Sequence, residues 1–136
     1  LHRGLGQLML EHCGISRSAA GLGAGLAAVA ELEAQFQQDL RVPGGADEPN
    51  GELEKALRLS DFFGLAQLML RDALAREESC GAHFREEHQS SGGEAVRDDQ
   101  HFAHIAAWEH RPGGTPIRHQ EPLSFSLLQP STRNYQ

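Results

Sequence analysis

The chain has 136 residues and a formal net charge of −7, from 12 basic and 19 acidic side chains. This length suits one domain, which would bury about 68–70% of the surface of the unfolded chain. The basic residues are scattered among carboxylates, so nucleic acid is not expected as a partner. No apolar run reaches the ~20 residues of a membrane-spanning helix, so direct membrane insertion is not expected. The two cysteines, Cys13 and Cys80, are too few for a disulfide framework and are interpreted as reduced thiols.

The chain begins within a helical pattern. One helical face is traced by Leu1, Leu5, Leu8 and His12. Because no initiating methionine or capping residue precedes Leu1, we expect the chain to be a fragment of a larger protein. This first helix is predicted over about residues 1–13 and should end at Gly14, since glycine suits a helix C-terminus.

A second helix is predicted over about residues 18–40, with Ser16 or Ser18 as its N-terminal cap. Apolar residues recur along it at helical spacing: Leu22, Leu26, Val29, Leu32 (or Glu33), Phe36 and Leu40. Glycines at 21, 23 and 25 weaken its first turns, so this start is expected to be either frayed or tightly packed. Residues 41–49 are a loop by composition.

The longest predicted helix covers residues 51–79 and is capped by Asn50. Its main apolar face consists of Ala56, Leu59, Phe63, Ala66, Leu70 and Ala73. Further apolar side chains widen that face: Leu53, Leu57, Leu65, Leu68 and Met69. A helix this apolar is expected to be central in the fold. Gly64 is expected to allow close approach of a neighbour, and Gly81 to end the helix.

These elements predict a mainly α-helical, α+β fold. Residues 1–88 are expected to form an antiparallel three-helix bundle around the long helix. Residues 89–136 are expected to form a small antiparallel β-hairpin or sheet, followed by an irregular tail. Its strands are predicted at Phe102–Glu109, where alanines make a helix the alternative, and at Thr115–Gln120. A half-buried strand is also predicted where serines alternate with Leu123, Phe125 and Leu127.

The residues by themselves indicate no catalytic, cofactor-binding or metal-binding group. Cys80 and His83 have a Cys-x-x-His spacing, but no second pair at zinc-finger spacing follows, so hydrogen-bonded or solvated histidines are the preferred interpretation. Cys80 is also a poor nucleophile candidate, because the negative end of a helix dipole disfavours a thiolate. The glycine run at 21, 23 and 25 follows no strand and therefore does not predict a phosphate-binding loop.

The stretch ALAREESCGAHFRE, at residues 73–86, resembles the C-terminal region of the flavoprotein subunit of succinate dehydrogenase and fumarate reductase. That family carries Ala-Leu-Ala-Arg-x-Glu-Ser-Arg-Gly-Ala-His-x-Arg-x-Asp at the end of a long helix. The family's later Arg-Asp-Asp element is similar to Arg97-Asp98-Asp99. Three more stretches match in the family's order: Leu8–Ile15, Asn50–Leu53 and, resembling its basic-aromatic tail, Thr132–Tyr135.

Two features depart from the common family pattern. Cys80 stands where the family usually has arginine, and the loop Gln89–Val96 is longer than in the common form. Both features resemble the branch of the family that reduces menaquinone and has a single large membrane anchor.

The resemblance implies a parent flavoprotein that interconverts succinate and fumarate by hydride transfer with covalently bound FAD. In the family the flavin-linked histidine, the proton-shuttling arginine and the glycine-rich site lie upstream of this region, so none maps onto this chain. The resemblance implies packing on an upstream FAD-binding domain. It also implies a complex with an iron–sulfur subunit and a membrane cytochrome b subunit, peripheral to the cytoplasmic side of the inner membrane. The residues expected to serve docking are Glu78, Ser79, Cys80, Gly81, Ala82, His83, Arg85, Arg97, Asp98 and Asp99.

Two alternatives stay open. Aspartate oxidase has a similar motif, although it commonly has Leu-His where this chain has Ala82-His83. An independent module with a His/Cys metal site is the alternative from another class. For the chain alone we expect self-association. We expect it neither to bind FAD nor to oxidise succinate. Its loop Ser79–Arg85 is expected to lack partners, and so to be mobile or held by a neighbouring copy.

Overall fold

A computed structural model describes residues 1–45, 47–128 and 130–131. In chain order its elements are α1 (His2–His12), β1 (Ser16–Arg17), α2 (Ala19–Asp39), α3 (Gly51–Ala75), β2 (Phe84–Arg85), α4 (Asp99–Phe102), β3 (His104–Glu109) and β4 (Ile117–Pro122). The predicted fold class, a mainly helical bundle followed by a small antiparallel β-hairpin, is confirmed. A division of the chain at residue 88 remains a prediction.

The core lies where α1 and α2 pack against α3. All of the predicted apolar face of α3 is buried: Ala56, Leu59, Phe63, Ala66, Leu70 and Ala73. From α2, the buried residues are Leu22, Gly25, Val29 and Phe36. The rings of Phe36 and Phe63 lie with their centroids 5.4 Å apart, a tilted aromatic pair at the centre of the α2–α3 contact. The 3.6-residue periodicity therefore predicts the buried face of α3 correctly.

Two glycines of the long helices differ from each other in what surrounds them. A side chain at Gly25 would place its Cβ 2.7 Å from the Cβ of His12 and 3.0 Å from a methyl group of Leu70, so this glycine lets α1, α2 and α3 approach closely. Tight packing, and not fraying, is thus the outcome for this part of α2. The prediction for Gly64 is wrong, because nothing lies within 4 Å of the Cβ position there.

The predicted caps of α2 and α3 are confirmed, but the predicted end of α3 is wrong. The Ser18 hydroxyl accepts a hydrogen bond from the Gly21 N–H, and the Asn50 side chain accepts from the first turn of α3. The helix ends at Ala75 and not at 79, because Arg76 adopts an extended backbone conformation with φ −98° and ψ 95°. Gly81 therefore does not end the helix.

The hairpin of β3 and β4 pairs from His104 opposite Pro122 to Glu109 opposite Ile117. β3 starts later than predicted because the short helix α4, capped by the Asp98 carboxylate, precedes it. No strand forms at residues 123–127, so that prediction is wrong. The ladder ends at His104, and the residue before it leads back to α4, so that stretch has no strand to pair with. The tail motif Thr132–Tyr135 lies outside the described residues.

The hairpin is fixed to α3 by polar contacts. The indole N–H of Trp108 donates to Asp72 Oδ1 at 2.9 Å, and Arg118 Nε lies 3.8 Å from the same oxygen. Arg118 also hydrogen-bonds His104 across the hairpin at 3.0 Å. One carboxylate of α3 thus orients both strands. Among the described residues, no helix is long and apolar enough to cross a membrane.

Candidate functional site

Residues 80–83, part of the motif that was predicted to serve docking, form a tight turn just beyond α3. The Cys80 N–H donates to the His83 carbonyl at 2.9 Å, and the His83 N–H donates to the Cys80 carbonyl at 3.1 Å. Gly81 has φ +60°, while Ala82 has no positive φ, which is the pattern of a type II′ turn. Glycine is needed at 81 for this backbone conformation and not for space, since nothing lies within 4 Å of its Cβ position.

Ser79 stabilises the backbone that follows this turn. Its hydroxyl accepts from the Arg85 N–H at 2.8 Å and donates to the Arg85 carbonyl at 3.1 Å. Its own N–H donates to the Val96 carbonyl at 2.9 Å. Ser79 is completely buried, so its hydroxyl replaces the strand partner that Arg85 lacks on this side.

Arg85 terminates α3 from the other end of the turn. Its side chain is buried, and its Nη1 donates to the carbonyls of Ala73, Leu74 and Arg76 at 3.1, 3.2 and 3.3 Å. Ala73 and Leu74 belong to the last turn of the helix, whose final carbonyls have no partner within the helix, and Arg76 is the first residue beyond it. A cation there also complements the negative end of the helix dipole. The Nε donates to Glu87 at 3.1 Å, so the buried charge is paired.

His83 is held by two partners of opposite hydrogen-bonding character. Nδ1 lies 2.9 Å from Arg17 Nη1, which can only donate, and Nε2 lies 2.9 Å from the Arg76 carbonyl, which can only accept. The partners therefore require a neutral imidazole with its proton on Nε2. Burial lowers the pKa of His83, and the nearby arginine charges lower it further, against an opposing effect of the bond to the Arg76 carbonyl.

Glu78 links the turn to the Arg97-Asp98-Asp99 element. It is almost fully buried; its Oε1 accepts from Arg76 Nε and Nη2 at 2.8 and 2.6 Å, and its Oε2 accepts from the Asp98 N–H at 2.8 Å. Arg97 in turn pairs with Asp99 at 2.5 Å and donates to the Ser131 carbonyl at 3.1 Å. The two separate motif elements thus meet at one buried carboxylate.

The segment after the turn is also bound to the connection between α1 and α2. β2 pairs in parallel with β1, where the Phe84 N–H donates to Ile15 and the Glu86 N–H donates to Arg17. Glu87 Oε1 accepts the Ala19 N–H at 2.6 Å, at the first turn of α2. This bond, ahead of the Arg85 contact, lowers the pKa of Glu87. The motif therefore joins the ends of all three long helices.

The motif's partners lie within the chain, so the prediction that its polar groups lack partners is wrong. Both ring nitrogens of His83 are engaged, which leaves neither free to bind a metal with Cys80. Across residues 1–45, 47–128 and 130–131 there is no group of three His, Cys, Asp or Glu side chains that could hold a metal ion. Burial raises the pKa of the Cys13 thiol, which makes that sulfur a poor nucleophile. The arrangement orders the end of a helix.

Comparison with known proteins decides the family. A family model described as "Fumarate reductase flavoprotein C-term" matches residues 2–135. The chain belongs to this family.

Fumarate reductase flavoproteins are among the longer proteins to which this chain is similar. The chain is 30% identical over 132 residues to the fumarate reductase flavoprotein subunit of Escherichia coli, an alignment that covers 96% of this chain and 21% of that protein. The solved structure of a quinol-fumarate reductase with menaquinol molecules matches at a TM-score of 0.79 and 27% identity, over 95% of this chain and 22% of the other. The chain therefore spans about a fifth of the length of these relatives. L-aspartate oxidase 2 of Ralstonia nicotianae is 37% identical over 81 residues, 60% of this chain and 13% of that protein.

Three residues that complete this arrangement were not among the residues predicted to serve docking: Arg17, Arg76 and Glu87. Arg76 lies within the stretch that resembles the family and Glu87 directly follows it, so both could have been included as charges next to the predicted residues. Arg17 lies 66 residues before its partner His83, and no local pattern joins the two.

Proposed function

We propose that the chain is the C-terminal part of a flavoprotein oxidoreductase that interconverts succinate and fumarate. The match to the fumarate reductase flavoprotein family over residues 2–135 carries this proposal. In this proposal the chain packs on an upstream FAD-binding domain. The full protein works with an iron–sulfur subunit and a membrane cytochrome b subunit, peripheral to the cytoplasmic side of the inner membrane. The longer Gln89–Val96 loop and Cys80 favour the menaquinone-reducing branch.

The glycine run of this chain does not fit a binding site for FAD. The glycine run at 21, 23 and 25 lies inside α2, and Gly25 is occupied by its contacts with His12 and Leu70. A dinucleotide site needs such glycines between a strand and a helix, where the backbone can approach the pyrophosphate. We therefore expect the flavin on upstream residues of the parent. The purified 136-residue chain should be colourless and should not reduce a dye with succinate; flavin absorbance would contradict this.

The surface we expect to face the FAD-binding domain is an open apolar groove between α1 and α3. We call it the α1–α3 groove; its lining residues are His2, Leu5, Gly6, Met9, Phe62, Leu65, Ala66 and Met69. Leu65 is 56% exposed and Met69 46% exposed, although both belong to the long apolar helix. Contiguous exposed apolar surface of this kind is typical of an interface.

In this proposal the motif contributes to docking through those of its residues that are exposed to solvent. Gly81 and Ala82 are exposed at the tip of the turn, and Asp99 is exposed beside the half-buried Arg97. The buried side chains of Ser79 and Arg85 then act indirectly, by holding this tip in place.

The choice of substrate is tested on the full-length protein that contains this chain. Succinate-dependent reduction of an artificial acceptor is expected. Aspartate-dependent formation of peroxide would instead favour aspartate oxidase, the alternative that the 81-residue similarity supports. Neither activity in a protein that carries flavin would overturn the proposal.

The groove is tested on the chain itself by sedimentation equilibrium. Without an upstream domain to cover the α1–α3 groove, we expect reversible self-association at high concentration. Leu65→Glu should weaken it at least tenfold, because a carboxylate would be desolvated in the contact. Leu127→Glu is the matched control: it makes the same change at a leucine that is 93% exposed and not part of the groove, and should have no effect. A monomer at all concentrations, or equal effects of the two variants, would contradict this role.

A further inference from the structure

The imidazole of His83 contacts two parts of the chain that lie far apart in the sequence. On one side Arg17 belongs to β1, in the connection between α1 and α2. On the other side the Arg76 carbonyl is the first beyond the end of α3. We propose that His83 is a pH-sensitive latch: its neutral form holds the α1–α2 connection against the end of α3, and its protonation releases that connection.

Protonation removes one bond and adds a repulsion. A proton on Nδ1 takes away the only lone pair that can accept from Arg17, which lies at 2.9 Å and cannot change its donor character. Two cations would then face each other at hydrogen-bonding distance. The bond from Nε2 to the Arg76 carbonyl can persist, so release is expected on the Arg17 side.

The charges around the ring make this repulsion hard to relieve. Three arginines from three elements face it: Arg17 on β1, Arg76 after α3 and Arg85 on β2. Two of these arginines already pair with carboxylates, Arg76 with Glu78 and Arg85 with Glu87. Further titratable groups on these segments are the thiols of Cys80, across the turn, and of Cys13, near Arg17, and the exposed Glu86 carboxylate, which accepts from the Ser16 hydroxyl at 2.8 Å.

The latch controls a small and specific set of bonds. Next to Arg17 and His83, the N–H groups of Phe84 and Glu86 donate across the β1–β2 pair to Ile15 and Arg17. This pair is only two residues long on each side, so it has little stability of its own. Loss of the Arg17 bond should therefore open it without unfolding the helical core.

The direction of the pH effect follows from the lowered pKa of His83. Above the ordinary value of 6.5 the ring is neutral in both closed and open states, and closure is fully favoured. Below 6.5 the open state takes up the proton first, so closure weakens until the pH reaches the folded pKa. One linked proton changes the opening constant by at most about tenfold per pH unit in this window.

Native-state amide exchange of the 136-residue chain tests the latch, after correction for intrinsic exchange rates. Protection of the Phe84 and Glu86 amides should fall by up to about tenfold per pH unit below 6.5. His83→Gln should abolish this dependence, because its amide can accept from Arg17 and donate to the Arg76 carbonyl but does not titrate. His110→Gln, at an exposed histidine, is the matched control and should keep it. Equal pH dependence in the wild type and His83→Gln would overturn the proposal.

If His83→Gln does not fold, the protonation state of the ring can be measured directly in the wild type. Nitrogen-15 shifts of the wild-type ring should show the proton on Nε2 at pH 7.5. As the ring titrates, loss of protection at Phe84 and Glu86 should follow the same curve. A proton on Nδ1 at pH 7.5, or titration without loss of protection, would rule the latch out. The result does not depend on the proposed oxidoreductase activity, which is assayed separately on the parent protein.

Discussion

The end of α3 and the side of α3 that faces α1 differ in which kind of side chain is buried. At the end, the polar residues that follow the helix are buried, and each finds a partner in the same chain: Glu78, Ser79 and Arg85. Along the side, apolar residues are exposed: Phe62, Leu65 and Met69. The polar residues of the motif therefore have their partners within the chain, whereas apolar residues on this side of α3 stay exposed.

This difference follows from what each kind of group costs when left alone. A buried polar group without a partner costs about 1–3 kcal/mol, so the end of α3 must be satisfied for the chain to fold. Apolar surface that stays exposed only forgoes the favourable free energy of burial, so the chain can fold with this surface uncovered. A polar motif that can be recognised from sequence thus need not mark the interface itself. We expect the α1–α3 groove to contribute more of the interface area.

The largest effect is expected from removing the buried charge at the end of α3. Arg85→Ala leaves the carbonyls of Ala73, Leu74 and Arg76 without their shared donor, and it unpairs Glu87. We expect a loss of about 3–5 kcal/mol in the free energy of unfolding, measured by urea denaturation, because each buried carbonyl left without a donor costs about 1–3 kcal/mol.

Arg58→Ala is the matched control for that variant. Arg58 pairs with Glu54 at 2.6 Å, but both side chains are largely exposed, so the loss should stay below about 1 kcal/mol. Similar losses for the two arginines would show that the end of α3 is less dependent on its buried contacts than the geometry indicates.

A smaller effect, with a change of sign, is expected within α2. Gly25→Ala places a methyl group against His12 and Leu70 and should cost about 1–3 kcal/mol through overpacking. Gly23→Ala meets nothing within 4 Å and should stabilise the chain by up to about 1 kcal/mol, because alanine favours the helix. Thermal unfolding of the two variants compares them directly; destabilisation by Gly23→Ala would contradict the packing described here.

Local patterns predict the helices well because their causes are local. The buried face of α3 follows from the spacing of apolar residues, and its start follows from the Asn50 cap. The end of α3 could not be predicted in this way. Residues 76–79 continue a helical pattern, and what stops the helix is Arg85, which binds the last carbonyls from a position 12 residues after Ala73. The identity of the motif residues was readable, but their inward direction depends on partners far away in the chain.

The strand predicted at residues 123–127 failed for a related reason. Alternation of Leu123, Phe125 and Leu127 with serines satisfies the pattern of a half-buried strand, but a strand also needs a neighbour to pair with. β3 begins only at His104, and that residue is already paired with Pro122. Periodicity describes one chain segment, whereas pairing depends on the length of another.

The smallest effect tests how the end of α3 is joined to α2. Glu87 accepts the Ala19 N–H and pairs with Arg85, and these contacts lower its pKa below the ordinary value of 4.5. Above pH 4.5 the carboxylate is charged in both folded and unfolded chains, and its contribution to stability is complete. As the pH falls below 4.5, the unfolded chain binds the proton first, so that contribution is lost through the folded pKa. Glu87→Gln keeps an acceptor for Ala19 but not the charge. Wild type should therefore exceed Glu87→Gln in the free energy of unfolding by less than about 1 kcal/mol at pH 7, a modest value because the Glu87 side chain is 41% exposed. The difference should shrink as urea denaturation is repeated at pH values from 5 towards 3. A difference that stays constant with pH would show that Glu87 acts through packing and not through its charge.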